Sequence, residues 1–155
     1  MSAPARTLPA ADGVARILTS LLGRAVTARK VAVAPAKVGL VGVYALAREP
    51  AAAVIAFDVG LAAHVGAALA LVPPAVAAEC ARKGKLEDNL RENTAEVLNI
   101  LCPLVNPAGA PHLGLREVVT AVADEIKPMV SSPARLELDV QVSGYGGGRL
   151  TVAVR

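Results

Sequence analysis

Aromatic residues are nearly absent from this chain. Tyr44, Phe57 and Tyr145 are the only ones in 155 residues, and there is no tryptophan. So small an inventory weighs against a platform on which bases or sugars could stack. It also means that a composition with 54% hydrophobic residues must build its core from Ala, Val, Leu and Ile, whose small volumes suit helices packed closely on a sheet.

Cysteine is scarce as well. Cys80 and Cys102 have no CxxC spacing, which excludes the usual redox and zinc-ribbon signatures. With no signal peptide at the start, they are expected to be buried, inert thiols in a reducing cytoplasm. The two histidines, His64 and His112, have no His, Cys or carboxylate at a metal-ligand spacing. No metal site is expected, and His64 reads as a satisfied, partly buried histidine on an apolar helix. Dense basic patches are lacking too. The net charge is +3, but the basic residues are dispersed apart from Arg29–Lys30 and the Arg82, Lys83, Lys85 cluster. A nucleic-acid partner needs several cations on one face and is not expected. The longest apolar run, Val54 to Val72, is interrupted by Asp58 and His64. Its uncharged remainder is too short for a hydrocarbon core of about 30 Å, so no membrane span is expected.

What is present is one domain's worth of alternating signals. Residues 1–10, with Pro4 and Pro9, read as a flexible leader, and residues 11–155 as a single domain. Asp12 can cap a helix to about Gly23, with Val14, Ile17, Leu18, Leu21 and Leu22 on one face. Strands are expected at Arg29–Ala34, Val38–Leu46 and Ala52–Phe57, with Pro35 and Pro50 between them, in an antiparallel meander. Asp58 then caps a helix to about Leu71, which Pro73 and Pro74 break. Pro74 suits the first turn of the next helix, through Arg82 and ended by Gly84. Leu113 to Ala123 is ambiguous: LREVVTAV can form a strand, and VVTAVADEIKPMV also carries a helical pattern through Val118, Val122, Ile126 and Val130. A strand followed by a short turn or helix is the reading preferred. Leu136 to Val142 alternates Leu and Val against Glu137, Asp139 and Gln141, a half-buried strand. Gly144 to Gly148 turns the chain and Leu150 to Val154 returns it as a hairpin. That glycine cluster lacks a following Lys-Ser/Thr and precedes no helix, so it is not a phosphate loop. Ser131 and Ser132 have no base partner in sequence. No solenoid-type repeat is visible.

The stretch from Lys85 to Asn106 holds the only dense cluster of carboxylates and amides. Leu86, Leu90, Val97, Leu101 and Leu104 form a core-facing stripe at helical spacing. Asn89, Glu92, Glu96 and Asn99 fall on another face. Glu96 and Asn99, three apart, project side by side. A solvated polar face, which every surface helix carries, explains the same spacing. Pro103 is expected to kink or end the helix, because it cannot donate to the carbonyl of Asn99.

The Glu96-Val97-Leu98-Asn99 pair on a long helix resembles the ExxN signature of the CheC/CheX-like chemotaxis phosphatases. The order of elements from about Val38 onward is similar as well: strands, the strand-to-helix turn AAAVIAFDVGLAAHVGAAL, a linker helix, the ENTAEVLNIL helix and a terminal hairpin. The chain differs from the family pattern in having Glu92 for a shorter residue, Pro103 where glycine is common, and no proline between Leu115 and Val122.

The resemblance implies an α/β domain of the α+β type: an antiparallel sheet with long helices packed on one face, CheC-like. It implies dephosphorylation of the aspartyl phosphate of a CheY-type response regulator in the cytoplasm. Glu96 would engage the regulator's active-site lysine and Asn99 would orient the attacking water, while Glu92 and Asn89 would contact the partner. No cofactor is implied for this chain, since the magnesium belongs to the regulator. The alternative is a non-catalytic CheC-like adaptor or dimerisation module that binds a signalling partner. A homodimer through sheet edges is compatible with either.

Overall fold

The computed structural model describes residues 6–33 and 38–155. The first five residues of the expected leader, together with Ala34 and Pro35, lie outside them. Helix α1 spans Ala11–Leu22 and strand β1 Val26–Lys30. Strands β2 (Leu40–Ala45) and β3 (Ala53–Phe57) follow, then helices α2 (Val59–Leu69), α3 (Pro74–Lys83) and α4 (Asp88–Ile100). The chain closes with β4 (Gly114–Val119), the short helix α5 (Lys127–Val130), β5 (Leu136–Val142) and β6 (Gly146–Val154).

All six strands join one antiparallel sheet in the order β1-β5-β6-β3-β2-β4. The expected meander holds only for the hairpins β2–β3 and β5–β6. Strand β1 leaves its sequence neighbour and pairs with β5, and β4 pairs with β2. The order reads the same in reverse when β1, β2 and β3 are exchanged with β4, β5 and β6. The sheet is therefore built from two units, α1-β1-β2-β3 and α4-β4-α5-β5-β6, each lending its first strand to the other. No local sequence signal marks such an exchange, because long-range pairing decides it.

The period-2 alternation sorts the strands' side chains onto two faces. Leu40 and Tyr44 of β2, Ile55 and Phe57 of β3, Leu138 and Val140 of β5, and Leu150 and Val152 of β6 are buried in one cluster with residues of α1, α2 and α4. Val41, Val43, Val54 and Ala153 point the other way and are covered by Ile126 and Met129 around α5. The long helices thus share one face, with α3 packed outside against α2.

Two expectations about strands need correction. Gly146, Gly147 and Gly148 belong to β6, not to the turn, which comprises residues 143–145. A Cβ on Gly146 would meet the His64 ring at 2.6 Å, and one on Gly148 would meet Asp58 and Leu61 of the α2 entrance. These glycines let the Ala- and Gly-rich helix α2 lie directly on the sheet. Glu137, expected on a solvated face, is fully buried. Its Oε1 accepts from Arg135 Nε at 2.8 Å and from the Thr151 hydroxyl at 3.0 Å.

Asp58 caps α2 as expected: its Oδ1 accepts from the Leu61 N–H at 2.8 Å. Its Oδ2 also accepts from the Arg149 N–H of β6 at 3.0 Å, so one carboxylate fastens helix to strand. Helix α1 departs slightly from expectation. Its N-cap is Ala10, which makes Asp12 a first-turn residue favourable to the helix dipole instead of a capping side chain. Among the described residues no helix is long and apolar enough to cross a membrane.

Candidate functional site

Helix α4 is held from three sides. Its predicted stripe packs inward: Leu90, Val97 and Leu101 are fully buried, and Leu86 is partly buried against the core. On the α2 side, the Thr94 hydroxyl donates to the Ala62 carbonyl at 2.7 Å and Asn93 Nδ2 donates to the Gly66 carbonyl at 3.0 Å. Gly66 makes this crossing possible, since a Cβ there would lie 2.5 Å from the Leu90 carbonyl oxygen. On the sheet side, the buried Tyr44 hydroxyl donates to the Leu98 carbonyl at 2.5 Å. Burial is the main reason that the Tyr44 hydroxyl resists ionisation, with Cys102 adding to it.

Pro103 ends α4 as its chemistry demands. The α-helical bonding stops at Leu101, whose N–H still reaches the Val97 carbonyl, and Cys102–Val105 continues as a 3-10 turn with Pro103 in its first turn. Leu104 of the predicted stripe is buried from this turn, not from the helix. Asn106 then clamps the exit. Its Nδ2 donates to the Cys102 carbonyl at 3.1 Å and to the Leu113 carbonyl at 2.9 Å, and its Oδ1 accepts from the Leu113 N–H at 2.6 Å. Arg6 also binds here, donating to the carbonyls of Val105 at 2.6 Å and Pro111 at 2.9 Å.

The remaining side of α4 is open. Asn89, Glu92, Glu96 and Asn99 are all exposed. Among the described residues none of the four side chains has a hydrogen-bond or ion-pair partner. Arg91, next to Glu92, is engaged by Asp88 at 2.9 Å. Glu92, Glu96 and Asn99 follow one another at spacings of four and three, a continuous row along the helix. An unpartnered carboxylate and an unpartnered amide on a rigid helix can accept from a partner's ammonium and orient a water.

The residues that hold this row in place were not singled out in the sequence. Thr94 and Asn93 look like further polar residues of a surface helix, and Tyr44 like a core aromatic. The available signal was Gly66, since a glycine inside a helix marks a close approach. His64 and Ser131–Ser132 lie elsewhere. His64 is buried on α2 with its Nδ1 unpartnered among the described residues, contrary to the satisfied histidine expected. Burial lowers its pKa, with Asp58 opposing the shift. A cavity of about 620 Å³ lies on the α5 side of the sheet, where Ala56, Lys127, Arg135 and Thr151 line it, and among the described residues none of α4 lines it.

No protein-family model matches the chain. No curated protein matches it either. Solved structures do. The FliM middle domain from H. pylori aligns with a TM-score of 0.58 at 11% identity, covering 93% of this chain and 84% of that one. The FliM middle domain from Vibrio alginolyticus aligns at 0.57 and 14% identity, covering 93% and 87%. The fold is that of the FliM middle domain. FliM in a FliG–FliM complex from H. pylori also matches, with a TM-score of 0.54 at 12% identity over 93% of this chain and 85% of that one. The expected α/β architecture, an antiparallel sheet with its long helices on one face, is the CheC-like fold that this likeness shows.

Proposed function

We propose that this protein is a CheC/CheX-like phosphatase that acts on the aspartyl phosphate of a phosphorylated CheY-type response regulator in the cytoplasm. The observation that carries the reading is the exposed, unpartnered pair Glu96 and Asn99 on a helix anchored by Thr94, Asn93 and Tyr44. Glu96 engages the regulator's lysine. Asn99 holds a water in line with the phosphorus without bringing a full charge near the phosphoryl oxygens. An acyl phosphate is already reactive, so positioning a nucleophile and its surrounding charges supplies much of the acceleration. The regulator contributes the magnesium, and this chain contributes geometry.

A second reading is a non-catalytic adaptor. It draws on the neighbours: FliM structures similar to this chain come from complexes, one with FliG and another with SpeE. Either role is compatible with a homodimer, since β1 and β4 are open sheet edges. Arg29 and Lys30 on one edge and Arg116 and Glu117 on the other oppose indiscriminate pairing.

The test follows phosphate release from phosphorylated response regulators, with magnesium present, for the wild type and Asn99→Ala. A phosphatase accelerates release and loses that acceleration with Asn99. Binding without faster release selects the adaptor. Acceleration that survives Asn99→Ala removes the proposed mechanism.

A further inference from the structure

We infer that the cleft between α4 and β4 receives an apolar side chain of the protein partner, and that the partner carries a lysine or arginine about one helical turn from that side chain. The inference rests on the regulator reading above and says how such a partner is seated.

The cleft measures about 520 Å³, and Glu92, the first residue of the row that continues along α4 to Glu96 and Asn99, lines it. Its floor is apolar: Leu40 is fully buried, Val118 and Val119 are half-buried, and Ala95 and Ala121 complete the walls. This floor continues the two cores, since Val118 packs against one cluster and Val119 against the other. Apolar surface left wet at a rigid cleft gains free energy when a partner's side chain replaces the water.

Charge identifies what must accompany that side chain. Several acids elsewhere are matched, Glu79 by Arg82 and Lys83, Asp139 by Arg29, and both Glu117 and Glu125 by Arg116, while Asp12, Glu49, Glu87 and Asp124 have no counter-ion among the described residues and line neither this cleft nor its rim. Among the described residues the one cation lining the cleft, Arg91, is engaged by Asp88. Glu92 stands at the rim with no counter-ion among the described residues, and Glu96 stands one turn further without one. In a chain of net charge +3, this uncompensated pair beside an apolar cleft is complementary to a basic residue flanking an apolar one. A partner anchored there lies directly along the helix from Asn99. Glu92 becomes a docking residue, separate from the hydrolytic step.

The experiment titrates the full chain with response-regulator receiver domains from the source genome, each loaded with magnesium and beryllofluoride as a mimic of the aspartyl phosphate. Ala121→Trp fills the cleft and Glu92→Lys inverts its rim. Both positions are exposed, and circular dichroism checks that each variant is folded. Each is expected to weaken binding by about tenfold or more, whereas Asn99→Ala binds within about twofold of wild type. A Lys→Glu or Arg→Glu change on the receiver is expected to restore binding to Glu92→Lys. Wild-type affinity in both cleft variants overturns the docking inference and leaves the phosphatase reading to stand or fall on phosphate release. If no loaded receiver binds the wild-type chain, the regulator reading fails and takes the docking inference with it.

Discussion

The Tyr44 hydroxyl donates a 2.5 Å hydrogen bond to the carbonyl of Leu98, the residue immediately before Asn99. Strand β2, between β3 and β4 in the sheet, thereby grips the last turn of α4 next to the proposed water-positioning amide. Tyr44→Phe keeps the ring and removes only this grip. It is expected to cost about 1–3 kcal/mol, the range for unpairing a buried acceptor. Urea unfolding measures the loss, and phosphate release should fall along with it. An unchanged unfolding midpoint would show that the Leu98 carbonyl does not depend on Tyr44.

Gly66→Ala tests the other anchor. The new Cβ would lie 2.5 Å from the Leu90 carbonyl oxygen and 2.6 Å from the Thr94 hydroxyl. Both neighbours belong to α4, so the helices must separate. A loss of about 1–3 kcal/mol is expected, as for overpacking in general. Amide exchange in α4 should accelerate more than in β5 and β6. Uniform exchange across the fold would contradict a local anchoring role.

Glu137 is the buried charge on which the α5 side of the sheet depends. Its Oε1 accepts from Arg135 and Thr151, and Arg149 Nη1 lies 3.6 Å from its Oε2. Removing the carboxylate by Glu137→Ala breaks the buried 2.8 Å pair with Arg135 and is expected to cost about 3–5 kcal/mol. A thermal melt reads this directly. A melting temperature within a degree or two of wild type would mean that the network contributes nothing net.

His64 predicts a pH dependence. Its pKa is lowered in the folded protein, chiefly by burial, so the native state favours neutral imidazole. Below the ordinary value of 6.5 the unfolded chain takes up a proton that the folded one resists. Stability is therefore complete above that value and declines as pH falls through it towards the lowered folded pKa. Denaturant midpoints at pH 7.5 and 5.5 should show this decline in the wild type and a shallower one in His64→Gln. Equal slopes would place the pH sensitivity in other groups.

Most elements, and the way they face, follow from signals within a few residues of one another. Leu136–Val142 is a strand with its Leu and Val residues inward, Asp58 caps α2, Pro74 opens α3 and Pro103 stops α4, because alternation, capping and a missing N–H act within a few residues. The split of α4 into a buried stripe and an exposed row of Glu92, Glu96 and Asn99 has the same local origin. The exchange of β1 and β4 between the two halves, the placement of Gly146–Gly148 within β6 and the burial of Glu137 emerge only in the folded molecule. So does the hold of Thr94, Asn93 and Tyr44 on α4. Each of these depends on which distant element comes to lie against the residue, a choice made by whole-molecule packing that no short window of sequence contains.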